Sequence, residues 1–100
     1  MIIYSVTVNI DQSIEQEWLQ WMKESHIPKV METGMFYEYK LFKLLVEEEQ
    51  GTTYSFQYSA KSIVETNKYL QEFAPKLQQE HAEKYKDQFV AFRSMLESVD

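Results

Sequence analysis

Three observations in the sequence predict an α+β fold. Four stretches read as strands and two as helices, in the order βαββαβ. Glycine occurs only twice in 100 residues, which favours long regular elements over tight turns. The two prolines fall in matching phrases, His26-Ile27-Pro28-Lys29 and Phe73-Ala74-Pro75-Lys76, one in each helical stretch. This order is that of the ferredoxin-like split βαβ arrangement: a four-stranded antiparallel sheet with two Pro-broken helices on one face, in a single domain over residues 1–100.

Each element has its own signal. Ile2, Tyr4, Val6, Val8 and Ile10 alternate with Ser5, Thr7 and Asn9, the pattern of a half-buried strand. Asp11 or Ser13 can cap the helix that follows, with Gln16 placed for a capping box and Glu15 and Glu17 suited to the positive end of the helix dipole. Its buried stripe runs Ile14, Trp18, Trp21, Met22, Val30, Met31, and Gly34 is a natural stop. Residues 36–46 form a second strand that is apolar on both faces, with Phe36, Phe42, Leu44 and Val46 on one side and Tyr37, Tyr39, Leu41 and Leu45 on the other. Glu47–Glu49 make a solvated hairpin tip before the alternating strand 52–59. Ser62 and Glu65 open a second helix whose stripe is Ile63, Leu70, Phe73, Ala74, Leu77, His81, Tyr85, and residues 88–98 close the fold as a strand. A proline inside a helix removes a hydrogen bond and clashes one turn back, at a cost of about 3 kcal/mol, so each helix is expected to restart at Pro28 or Pro75.

Composition narrows the partners. The formal net charge is −6 and Arg93 is the only arginine, so no basic surface is available for phosphates or anionic lipid; neither nucleic acid nor a membrane is expected as a partner. Without cysteine there is no thiol chemistry or thiolate metal site. No basic n-region precedes Ile2 and no apolar run approaches the roughly 20 residues of a membrane span, so a cytoplasmic protein is expected. The helices cover one face of the sheet. The other is expected to carry Ile3, Ala91 and Met95 among Ser5, Thr7, Asn9, Ser55, Gln57 and Arg93, a poor solvent surface that a homodimer packed sheet to sheet would bury.

The stretches "IIYSVTVNIDQSIEQEWLQWMKESHIPKVMETGMF", "GTTYSFQY", "FAPKLQQEHAEKY" and "VAFRSMLE" together resemble the dimeric α/β barrel superfamily of ferredoxin-like subunits. Within it, the chain resembles a family of short bacterial proteins described as a domain of unknown function. The resemblance implies fold and dimerisation far better than activity, since the superfamily includes monooxygenases, isomerases, haem proteins and members with no known reaction.

His26 and His81 are the only histidines and the candidate catalytic residues. The first and third strands are expected to run parallel, with both helices running back against them, so that late-helix residues gather at one end near Ile2, Tyr4, Thr52 and Tyr54 and the two histidines become neighbours. They then serve either as acid, base or ligand in a small pocket, or as packing groups bonded to carbonyls freed by the proline breaks. Arg93 either holds an anionic ligand or pairs with Glu97, Glu38 or an acid of a second copy. Tyr54, with Tyr58, Trp18 and Trp21, is aromatic enough to line a pocket, though at these spacings such residues are more often core. The resemblance implies a ligand-facing role for Asn9, at the end of the first strand, and places His81 on the helix where haem-degrading relatives carry their ligand. Their tryptophan has no match here, Tyr69 being nearest. The expectation is therefore a dimeric small-ligand-binding protein with no cofactor and no metal, with a cofactor-free or haem-linked monooxygenase or isomerase, and a purely structural dimer, as alternatives.

Overall fold

A computed structural model describes residues 1–45 and 50–100; the expected hairpin tip Glu47–Glu49, and Val46 at the expected end of the second strand, lie outside the described residues. The elements follow the expected order: β1 (Ile2–Ile10), a 3-10 turn (Gln12–Ile14), α1 (Glu15–Trp21), a π-helical turn (Met22–His26), α2 (Ile27–Glu32), β2 (Glu38–Lys43), β3 (Thr52–Ala60), α3 (Ile63–Glu72), α4 (Ala74–Lys84) and β4 (Phe89–Glu97). The sheet order is β2-β3-β1-β4, with every neighbour antiparallel. This is the α+β ferredoxin-like fold. Among the described residues no helix is long and apolar enough to cross a membrane.

β1 and β3 pair antiparallel, not parallel as expected, with Ile10 opposite Thr52 and Ile2 opposite Ala60. Each helical arm returns against its own strand, so the two arms run in opposite directions and their late residues do not share an end.

The helices restart one residue before each proline, at Ile27 and Ala74. The two breaks differ in kind. Pro28 would press its ring against the Glu24 carbonyl in a regular helix. The π-helical turn Met22–His26 widens the helix there, and Ile27 N–H reaches back to the Met22 carbonyl. At Pro75 the chain leaves helical geometry instead, with Phe73 at φ −118°.

The core lies between the helices and one face of the sheet. Tyr4, Val8, Ile10, Tyr54, Phe56 and Tyr58 meet Trp18, Met22, Ile27, Val30, Ala74 and Leu77. Phe36 was expected within β2. It precedes the strand and enters this core, 6.1 Å from the Tyr4 ring and 4.9 Å from the Tyr69 ring. Such aromatic pairs each add about 0.5–1.5 kcal/mol beyond their area. On α3 the inward residues are Thr66 and Tyr69, while Ile63, expected in the buried stripe, is 42% exposed. Asp11, not Ser13, caps the first turn, accepting from Ser13 N–H at 2.9 Å. Ser62 caps α3 through Val64 N–H and also bonds Glu65.

The register corrects the assignment of β4. Val6 pairs with Arg93, Val8 with Ala91 and Tyr4 with Met95, so Arg93, Ala91 and Met95 share the helix-facing side. The face away from the helices carries Val90, Phe92 and Leu96 instead, together with Phe42 and Leu44 on the opposite edge. All five are exposed, Phe92 to 69%. Ser5, Thr7, Ser55, Gln57 and Ser59 occupy the two central strands between these apolar margins.

Gly51 has φ +73°, and an added Cβ would lie 2.8 Å from the Ile10 carbonyl oxygen and closer still to the Asn9 side chain. The chain therefore turns into β3 at a position that only glycine fills.

Candidate functional site

Between the sheet and the two helical arms is a cavity of about 40 Å³. That is room for a few water molecules. Its floor is Tyr4, Val6 and Val8 of β1 with Phe56 and Tyr58 of β3; its roof is Met22, His26 and Val30 on one side and Tyr69, Gln78 and His81 on the other. Ala91 and Arg93 of β4 complete the wall. Ala91 is small and Arg93 long, so β4 leaves space near the sheet and places a charge at the rim.

His26 and His81 are neighbours, with ring centroids 5.9 Å apart. They meet over the middle of β1, with Val6 and Val8, and not at an end shared by Ile2 and Thr52, which the register sets at opposite ends of the sheet. Their settings differ. His81 is 6% exposed, and its Nε2 accepts a 2.9 Å hydrogen bond from the Trp18 indole N–H. Phe89 packs edge-on to the His81 ring at 4.3 Å. His26 sits at the end of the π-helical turn, its ring tilted against Trp21 at 5.6 Å. Its Nδ1 is buried without a hydrogen-bond partner among the described residues. Burial is the main force on both rings and lowers each to about 4. Glu80 opposes this at His26, while Lys29 and Arg93 reinforce it. At His81 the neighbouring His26 and Arg93 add to burial. Both imidazoles are neutral at pH 7.

Arg93, placed by sequence reasoning on the outer sheet face, instead lines this cavity beside the Tyr4 phenol, as does Gln78. Burial raises the Tyr4 phenol, and the Arg93 charge partly offsets that rise. Tyr58 and Tyr69 are likewise pushed up by burial. All three phenols are therefore donors and not phenolates at neutral pH.

Two candidates lie elsewhere. Tyr54 packs against Trp18 at 5.3 Å and donates a 2.6 Å hydrogen bond to Glu15, which also accepts from Thr52 at 2.8 Å and lies 3.9 Å from Lys43. The cluster lowers Glu15, chiefly through Tyr54, and raises Tyr54 to about 12, where burial is the largest cause. It ties the start of α1 to β3. Asn9 bonds the Gln50 carbonyl and the Thr53 hydroxyl at the Gly51 turn, beside an open hollow shared with Asp11, Gln12 and Asp87. Neither Asn9 nor Tyr54 faces the histidines' cavity. Tyr4 and Gln78 belong to the site and were not singled out for it. Trp18 was weighed as a pocket wall or core, and no local pattern marks its bond to a residue 63 positions away.

The comparisons now have a geometry to meet. Residues 1–99 match the family described as "Domain of unknown function (DUF4286)". The chain belongs to this family. No curated protein matches the sequence. Solved structures share the fold. A dimeric ferredoxin-like protein from an uncultured marine organism superposes with a TM-score of 0.70 at 14% identity, covering 99% of this chain and 94% of that one. The cofactor-independent oxygenase SnoaB from Streptomyces nogalater gives 0.69 at 11% identity, with 99% and 94% covered. A putative antibiotic biosynthesis monooxygenase from Deinococcus radiodurans gives 0.69 at 10% identity, with 100% and 94% covered. At these identities the likeness of this DUF4286 member to them is one of fold.

Proposed function

We propose that this DUF4286 protein is a homodimer that binds a small, partly apolar organic anion beneath its helices. The observation that carries this is a cavity lined by both histidines and, at its rim, the chain's only arginine, with the His26 Nδ1 buried beside it and without a hydrogen-bond partner among the described residues. A buried polar atom without a partner costs about 1–3 kcal/mol, a cost that a ligand bonded to it removes. Arg93 supplies the charge for a carboxylate or enolate, and Val6, Val8, Met22 and Val30 supply apolar contact. An aromatic acid is larger than the closed cavity, so its entry requires the Arg93 side chain at the rim to swing outward and meet the carboxylate. Benzoate and salicylate are suitable probes, followed by calorimetry. Saturable binding, weakened at least tenfold by Arg93→Gln, supports the reading. No binding of either acid at millimolar concentration, or binding indifferent to Arg93, overturns it.

Dimerisation rests on the exposed apolar margins of the outer sheet face, Phe42 and Leu44 on one edge and Val90, Phe92 and Leu96 on the other. A sheet-to-sheet pair would bury both margins. The fold neighbour described as dimeric is in keeping with a dimer. Sedimentation should give a dimer at micromolar concentration and a monomer for Phe92→Asp.

A second reading is proton-transfer catalysis of the isomerase or cofactor-free oxygenase kind, favoured by two neutral imidazoles in one cavity. The oxygenase neighbours are in keeping with it. Oxygen uptake or solvent-deuterium exchange with an enolisable acid, lost in His26→Ala, is its test. A haem-linked version has little support: a 40 Å³ cavity does not admit a porphyrin, and the His81 Nε2 is already engaged.

A further inference from the structure

We infer that Trp18 is a positioning residue that fixes the His81 tautomer, so that His81 presents an Nδ1–H donor and His26 alone is left to exchange a proton with a ligand. The inference rests on the proposed pocket and divides the work of its two imidazoles.

The indole nitrogen is only ever a donor, so the 2.9 Å contact from Trp18 Nε1 requires an unprotonated Nε2 on His81. A neutral imidazole has one N–H, which must then be at Nδ1. Neither ring can turn away. Trp18 is fully buried, held by Tyr54 at 5.3 Å and edge-on against Phe56 at 5.8 Å. Phe89 and Tyr85 clamp His81 at 4.3 and 5.6 Å. Protonating Nε2 would bring two donors face to face in the core, which costs the bond and leaves a buried N–H unpaired.

His26 has no such lock. Its Nδ1 is unpartnered, so its two tautomers are not separated by a fixed protein hydrogen bond at that atom. A ligand that offers a proton there finds a neutral base. A ligand group near His81 meets a group that cannot take a proton at Nε2 while Trp18 is in place.

The test is long-range proton–nitrogen NMR on histidine-labelled protein without ligand at pH 7. The expected spectrum shows His81 with a protonated Nδ1 and an unprotonated Nε2. Trp18→Phe, checked for folding by circular dichroism, should mix the two His81 tautomers and leave the His26 signals in place. Benzoate added to the natural protein should move the His26 nitrogens and leave the His81 tautomer unchanged. An Nε2-protonated His81 in the natural protein overturns the inference outright, and needs no variant. So does a Trp18→Phe protein that keeps the single Nδ1–H tautomer, or a benzoate complex in which the His81 proton changes nitrogen. If benzoate moves no histidine signal but the ligand-free spectrum is as expected, the pocket reading fails for that acid while the tautomer assignment stands.

Discussion

The two helical arms carry the same phrase, a proline followed by lysine, and use it differently. In the first arm the break is a π-helical turn, Met22–His26, and the residue that ends it is the histidine whose Nδ1 has no partner. In the second the break is a simple departure from helical geometry at Phe73, and His81 lies further on, in the regular helix α4, bonded to Trp18. Equivalent breaks thus yield one unanchored imidazole and one anchored one. The wider turn belongs to the arm that presents the free group, as is common where π-helical turns border functional sites.

The largest expected effect lies on the anchored side. Trp18 is wholly buried and contacts β3 and α4 together. Trp18→Ala should cost about 3–5 kcal/mol, from lost burial plus the cavity left behind. His26 makes no comparable bond, so His26→Ala should cost less than half as much. Urea unfolding of the two variants tests the contrast; equal losses would mean that the anchored and unanchored rings do not differ in structural weight.

The next effect is with pH. Both imidazoles are lowered from an ordinary value near 6.5 to about 4 by burial. Between those values the unfolded chain binds protons that the folded chain refuses, so stability falls as pH drops from about 6.5 to 4 and levels below that. His26 alone accounts for on the order of 3 kcal/mol across the window. His26→Phe should flatten part of the slope in unfolding midpoints taken from pH 7 to pH 4, and a slope unchanged by it would place the effect elsewhere.

Much of the fold was legible because burial on one face imposes period two on strands and a helical period on the arms. β1 and β3 alternate cleanly, and their ranges follow. β4 was legible as a strand but not in phase. Val90, Phe92 and Leu96 are as apolar as Phe89, Ala91 and Met95, so only pairing with β1 decides which set faces the helices. That one step moved Arg93 from the outer face into the cavity. That His26 and His81 are neighbours matches the expectation, but the strand direction it rested on does not hold: β1 and β3 are antiparallel and the rings meet over the middle of β1. The Trp18–His81 bond joins distant residues through packing of rings, and nothing in local spacing encodes it.

The smallest expected effect separates the two prolines themselves. Each is second in its helical segment, where a missing N–H costs little, so replacing either by alanine should change stability by under about 1 kcal/mol. Their consequences for the site should differ. Alanine at position 28 restores an N–H that can bond the Glu24 carbonyl and removes the ring that the π-helical turn accommodates. The turn then gains reason to tighten to α geometry, which rotates His26 relative to its neighbours. Pro28→Ala should therefore shift the His26 ring signals and weaken benzoate binding, with little loss of stability. Pro75→Ala acts on a break that holds no histidine, and both signals and affinity should stay near those of the natural protein. If the two variants behave alike, the π-helical turn is only another way to bend a helix over a twisted sheet, and His26 is presented by something other than its break.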